Sequence, residues 1–398
     1  MDMITEKPDR AGAIRTDLGA IFVSLELSRA KWLVTSLLPG GGEKLSQHTV
    51  AGGDLAGLLD RLATLVSKAQ ARSGRVFPVI VIQEAGLDGF WIHRALEAEG
   101  IESHVVDPAS IAVPRRRRRV KTDRIDGETL VRTLLAFKRG EPRVCSMVRA
   151  PTPAQEDRRR LVREYRELIG ERVRAVNRIK GLLFTQGVLD YRPLRRDRRQ
   201  RLAELCSGEG RPLGPYLKAE IDRLLERLEL LVKQMKALIA ALRALTTEAQ
   251  AADAGTAANT NAEARIMAQL LEIRGIGPVF AAVLVTEGLF RQFDNRRQVA
   301  AYAGLAPSPW RSGTIHYEQG VSKAGNKRLR TTLIQLAWLW RRHQPTTALA
   351  AWFEDRVDHN GGRVQKVMIT ALARKLLVAL WKYVTQGVII EGMAMTDA

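Results

Sequence analysis

From Ile221 to Leu245, apolar residues recur at alternating steps of three and four: Ile221, Leu224, Leu228, Leu231, Met235, Leu238, Leu242 and Leu245. A helix with that repeat, sustained over about three and a half heptads, carries one apolar seam that it cannot bury alone. It therefore needs a partner: a helix of the same chain in an antiparallel hairpin, or a second copy. A core helix packed on its own domain is the plainer alternative. The chain has 398 residues, too many for one ordinary core, and 45% of them are hydrophobic. Two or three folded domains are expected.

The seam is flanked by different kinds of sequence. Residues 20 to 38 read as two apolar strands around a polar turn. PVIVIQEAG (Pro78 to Gly86) is a continuous apolar run ending in an acid and a glycine, the pattern of a buried central strand with a functional residue at its end. A helix from Gly89 to Ala98 and a strand in IESHVVDP follow, so an α/β layer with parallel pairing is expected. A further helix starts near Asp123, and APTPA at 150–154 reads as a linker. Gln155 to Gln186 is helical and thick with arginine, and 187–217 is broken by Gly and Pro. Residues 246–264, poor in large apolar groups, read as a flexible linker, and 265–398 as mostly helical. The expected domains are 1–150, 151–262 and 263–398.

Lys and Arg number 63 against 43 acids, a formal charge of +20. A surplus of that size repels itself unless a polyanion is near, and nucleic acid is the commonest one. No apolar run reaches the roughly 20 residues of a spanning helix, and MDMITEKPDRAG lacks a signal-peptide core, so no membrane is expected. The two cysteines, Cys145 and Cys206, are isolated, which suits a reducing cytosol. The six histidines show no metal-binding spacing. A bound metal would be held by carboxylates, which points to Mg2+ or Mn2+ rather than zinc.

Four acids stand out. Glu26 lies mid-strand in FVSLELS, Glu84 ends an apolar strand, and Asp123 and Asp126 sit one helical turn apart in KTDRID. Two divalent ions about 4 Å apart stabilise the attacking and leaving oxygens of phosphodiester transfer, and several carboxylates must hold them. Each acid alone reads more readily as structural: a solvated strand face, a loop or helix-capping acid, an N-cap, a first-turn acid. Their order, strand acid, strand acid, helix acid pair, is more specific than any member.

Basic segments surround these acids and recur later. Arg115, Arg116, Arg117 and Lys121 precede the helix acids and suit a phosphate backbone. Arg158 to Arg160, Arg163, Arg166, Arg172, Arg174 and Arg178 could grip DNA or A-form RNA. RGIGPVFAAVLVTE resembles a helix-hairpin-helix, in which Gly275 and Gly277 permit a tight turn with amides facing a phosphate. Lys323, Lys327, Arg328 and Arg330 gather at a helix start, where an anion would relieve the opposed dipole; a solvated basic face is the alternative.

Taken in order, the strand acid at Glu26, IQEAG, HVVDP, KTDRID, RGIGPVFAAVLVTE, YAGLAPSPWRSG and VSKAGNKRLR resemble the DEDD transposases of the insertion-sequence-110 family, from about residue 20 to 385. The resemblance implies an RNase H-like (RuvC-like) α/β N-terminal domain, a helical coiled-coil middle and a mostly helical C-terminal transposase domain. It implies Glu26, Glu84, Asp123 and Asp126 as catalytic metal ligands and Ser312 as nucleophile, forming a transient covalent link to DNA. It also implies a bacterial, cytoplasmic, nucleoid-associated recombinase. Its expected partners are DNA, a structured guide RNA and further copies of itself in a dimer or tetramer. A RuvC-like nuclease using the acids alone, and an inactive DNA-binding descendant, are the competing functions.

Two positions depart from the family pattern. Glu26 stands where aspartate is usual, which moves the carboxylate by about 1.5 Å and favours Mn over the more exacting Mg. Gly127 stands where alanine is usual, at a cost of up to about 1 kcal/mol of helix propensity and little else. On its residues alone, Ser312 reads first as an ordinary turn serine. Arg311 could neutralise phosphate charge, His316 is a candidate base though it reads first as an exposed loop histidine, and Ser308 and Ser322 are competing hydroxyls outside the motif position.

Overall fold

A computed structural model describes residues 19–40, 44–86, 88–111, 123–142, 144–251, 258–312, 315–360 and 364–396. The run Arg115, Arg116, Arg117 and Lys121 lies outside these residues. The chain divides into two compact units, Met1–Pro151 and Thr152–Ala398.

The first unit is a five-stranded sheet in the order β3-β2-β1-β4-β5. Its strands are β1 (Ile21–Leu27), β2 (Lys31–Leu37), β3 (Leu45–Ala51), β4 (Val79–Glu84) and β5 (Glu102–Val106). β1 to β3 pair antiparallel as a meander, and β4 and β5 extend the sheet in parallel on the other side of β1. This mixed order agrees with an RNase H-like domain. Strand side chains alternate between faces, so alternate residues of β1 serve two cores. Ile21, Val23 and Leu25 pack with α1 (Leu55–Ser73) and α2 (Trp91–Ala98), while Phe22 packs with Ile80, Ile82 and α3 (Asp123–Lys138). Between the faces the continuous apolar run of β4 is used up, as its sequence required.

Among the described residues the second unit is built of helices and one hairpin. α4 (Pro153–Phe184) starts at a capping box, in which Thr152 and Gln155 satisfy each other's backbone amides. α6 (Pro215–Ala251) carries the heptad stripe and packs antiparallel on α4. Ala175, Ile179 and Leu183 meet Ile221, Leu225 and Leu228; Leu168 meets Leu231 and Met235; Val162 shares a core with Leu242. The seam is thus occupied within the chain. α5 (Arg198–Glu204) lies in the Gly- and Pro-broken stretch between them.

The expected flexible linker at 246–264 is corrected over its described part. α6 runs on through Ala251, and α7 (Ala258–Leu271) begins before the segment ends. Alanine is the strongest helix former, so scarcity of large apolar groups does not stop a helix. Then come α8 (Pro278–Leu284), a π turn (Val285–Leu289), α9 (Arg296–Tyr302), the hairpin β6 (Pro307–Ser312) and β7 (Ile315–Val321), and α10 (Lys327–His343), α11 (Ala348–Asp358) and α12 (Gln365–Gln386). A core rich in Leu, Val and Ala, with Trp340 and Phe353 fully buried, joins these helices to the ends of α4 and α6. Among the described residues no helix is long and apolar enough to cross a membrane.

Candidate functional site

The register of β1 on β4 pairs Ser24 with Ile82 and Leu25 with Gln83, so Glu26 and Glu84 occupy the next position along. Both belong to the parity of Phe22, Ile80 and Ile82, the face that α3 covers. α3 runs against the direction of β1. Near its start the Gly127 carbonyl accepts a 2.8 Å hydrogen bond from Ser24 Oγ. At its end Lys138 Nζ reaches Glu102, the first residue of β5, at 2.8 Å. The turn holding Asp123 and Asp126 therefore lies at the carboxyl ends of β1 and β4, where Glu26 and Glu84 also end up. Acids in a helix's first turn are favoured by its dipole.

The environments of these acids differ. Glu26 is half-buried with Oε1 out of solvent, Glu84 is exposed, and Asp126 is half-buried. Among the described residues no three His, Cys, Asp or Glu side chains gather closely enough to hold a metal ion. The side chain of Asp123 is not among the described ones. The donor chemistry, carboxylates only, fits a hard divalent cation and not zinc.

Gly127 does more than its helix propensity indicated, and that expectation is corrected. A Cβ there would run into Thr35 Oγ1 and stand 3.2 Å from Thr35 Cβ. Thr35 is fully buried on β2. The glycine lets the first turn of α3 lie directly on the sheet, which is what allows the Ser24 bond.

In the second unit Ser312 is the last residue of β6, opposite Ile315. Arg311 pairs with His316 in the same ladder. The turn at Gly275 (φ +94°) is set by packing, since a Cβ there would come within 2.8 Å of His343 Cβ on α10. Its amides are partly committed: Arg274 N–H donates to Ala394 and Ile276 N–H to Ile273. Gly277 precedes α8 and has open space beside it.

The basic residues fall into two groups. Lys323, in a left-handed backbone conformation (φ 58°), is exposed, as are Lys327 and Arg328. Arg330 turns inward, its Nη1 donating to the Lys323 carbonyl at 2.8 Å. On α4, Arg158 pairs with Glu263 (2.8 Å), and Arg163 pairs with the buried Glu287 (3.0 Å). Arg159, itself buried, donates to the Thr286 carbonyl and stacks 4.2 Å over Phe290. Arg166 donates to the Arg328 carbonyl. These arginines hold the unit together, so the reading of all of α4 as a nucleic-acid grip is corrected. Arg160 and Arg174 remain exposed on its outer side.

With this geometry in place, two family models match the chain. One, described as a transposase and built on the DEDD transposases of the IS110 group, covers residues 36–186, including Glu84, Asp123 and Asp126 but starting beyond Glu26. The other, described as the transposase IS116/IS110/IS902 family, covers residues 267–351 and includes Ser312. The chain is 66% identical to the transposase-named protein y4rJ of Sinorhizobium fredii, over 98% of both chains. It is 26% identical to the transposase for insertion sequence element IS1328 of Yersinia enterocolitica, over 79% of this chain and 86% of that one. It is also 26% identical to the transposase for insertion sequence element IS1111A of Coxiella burnetii, over 77% and 78%. The chain is an enzyme of the DNA transposase class. It belongs to the IS110 family of DEDD transposases, whose carboxylate set implies a divalent metal.

Sequence reasoning missed β3, the β6–β7 hairpin and the buried Glu287. The first two lacked strong alternation. Glu287 ends an apolar run in the same way as Glu84, and only its distant partners distinguish the two.

Proposed function

We propose that this transposase cuts and rejoins DNA strands at the ends of its insertion sequence, with Glu26, Glu84, Asp123 and Asp126 as metal ligands and Ser312 as nucleophile. The observation that carries this reading is the adjacency of Glu26 and Glu84 on the sheet face where α3 brings its acidic first turn, through the Ser24–Gly127 contact. Bound Mg2+ or Mn2+ would supply charge stabilisation at the reacting phosphate.

The residues' own tasks follow from their chemistry. Ser312 Oγ attacks phosphorus and gives up its proton, the bond to one deoxyribose oxygen breaks, and that oxygen takes a proton. A serine phosphodiester conserves the bond energy until a second strand end attacks it and restores the hydroxyl. The exposed Lys323, Lys327 and Arg328, with Arg311, suit phosphate contact, and so do Arg115, Arg116, Arg117 and Lys121, which precede the helix acids in the sequence. A structured guide RNA and assembly into a dimer or tetramer belong to this reading through the family resemblance. The +20 charge and the outer arginines of α4 support a polyanion partner.

The test is denaturing electrophoresis of labelled element-end DNA incubated with protein and Mn2+. Wild type is expected to give a protein-linked DNA band, and Ser312→Ala to lose the band and strand exchange together. Strand exchange by Ser312→Ala would leave only a nuclease-like use of the acids.

A further inference from the structure

The hairpin bearing Ser312 rises from a narrow base. The chain leaves at Leu305, climbs β6, returns down β7 and re-enters at Ser322, whose N–H donates to the Ala306 carbonyl at 2.9 Å. Its lower half is weakly laddered, because Pro307 and Pro309 bring no N–H and the register slips between them. Its orientation is therefore set at the base. There Gly304 (φ +65°) and Gly325 (φ +110°) interlock. A Cβ on Gly325 would stand 2.5 Å from the Tyr302 carbonyl oxygen, and one on Gly304 would meet the Ala324 carbonyl and Arg330.

One side chain ties this base to the core. Asn326 Oδ1 caps α10 by accepting from the Arg328 and Leu329 amides at 3.0 and 3.1 Å. Asn326 N–H donates to the Tyr302 carbonyl at 2.7 Å. Asn326 Nδ2 donates to Glu287 Oε2 at 2.9 Å and to the Glu287 carbonyl at 3.1 Å. Glu287 is 3% exposed, and its other carboxylate oxygen accepts from Arg163 of α4 at 3.0 Å. A buried carboxylate on a π turn, satisfied from both sides, thus spans from α4 to the hairpin base; π turns are often retained at functional sites.

We propose that Glu287 and Asn326 are positioning residues that aim the Ser312 hairpin, an inference that rests on the serine reading above. Ser312 lies five residues beyond Pro307, roughly 16 Å at strand rise. A tilt of about 5° at the base moves the hydroxyl by about 1.4 Å, and a displacement of about 1 Å costs on the order of 100-fold in rate.

The test uses the full chain and exploits a swap. Asn326→Asp keeps the capping oxygen but sets a carboxylate against Glu287. Asn326→Ser also keeps a cap but cannot reach Glu287. Both are expected to lower the rate of the protein–DNA adduct on the order of 100-fold, with binding to the same DNA unchanged within about twofold. Adding Glu287→Gln to Asn326→Asp restores a side-chain donor facing a carboxylate, though not the bond to the Glu287 carbonyl, and is expected to recover part of the rate. In parallel, amide hydrogen exchange without DNA should quicken in residues 307–321 of both single variants and move back towards the wild-type rate in the swap.

Wild-type adduct rates in both single variants would overturn the latch. So would an unrecovered swap, or exchange quickened throughout α8 to α10 and not confined to the hairpin. An adduct formed by Ser312→Ala would instead sink the serine reading, and the exchange measurements would still judge the latch.

Discussion

Gly127 shows how one missing methyl fixes where a helix rests on a sheet. Alanine there would gain up to about 1 kcal/mol in helix propensity. It would also press on the buried Thr35, and overpacking of that kind costs about 1–3 kcal/mol. Gly127→Ala is therefore expected to lower the melting temperature of the first unit, followed in a fragment-resolved exchange experiment, despite its better propensity. Thr35→Ala in the same chain removes the obstructing oxygen and should return most of the loss. A melting temperature raised by Gly127→Ala alone would show that α3 does not rest on the sheet in this way. The sequence showed the acids and the glycine as separate motifs. It could not show that Ser24 and Thr35 meet Gly127, because those contacts cross about a hundred residues of chain. Glu287 escaped notice for the same reason: its partners Arg163 and Asn326 stand 124 and 39 residues away.

At the level of elements, periodicity was legible wherever one face met one core. The heptad stripe of α6, the continuous run of β4 and the arginine-thick α4 all form the elements their spacing required. The β6–β7 hairpin was hidden by its two prolines, and the Ala-rich end of α6 by its lack of large side chains. Charge was the least legible property of these elements, since the arginines of α4 divide between internal ties and outer surface according to which helix lies opposite.

A second ionic cluster pins α5 and its loop to α6. Hydrogen bonds from Arg199 and then Arg198 hold Glu229 down to about 2, against an ordinary value of 4.5. Arg198 Nη2 lies 2.6 Å from one Glu229 oxygen and Arg199 Nη2 3.1 Å from the other. The folded chain binds this proton more weakly than the unfolded chain. The contribution is thus complete above about 4.5 and is lost as pH falls towards 2. The carboxylate is partly solvated, so salt will reduce the effect. The urea midpoint of wild type should exceed that of Glu229→Gln near neutral pH, and the gap should close steadily below about 4.5. A gap independent of pH would assign the effect to packing.

At the scale of the whole molecule, the proposed acids belong to residues 1–151 and the proposed nucleophile to residues 152–398. A reaction that needs both can take them from one copy or from two, and a mixture of two disabled proteins separates these cases. Glu84→Gln keeps its serine and Ser312→Ala keeps its acids, and each alone is expected to be inert in strand exchange. If one copy supplies the acids and another the serine, a mixed assembly contains a site with neither defect. In randomly formed twofold dimers half the assemblies are mixed, and one of the two sites in each is intact, so about a quarter of wild-type activity should return. If each copy completes its own site, no mixture restores anything, because every chain carries one lesion. An inert mixture, with both variants shown to co-assemble, would confine the chemistry to single chains and require the two units of one copy to meet on the DNA.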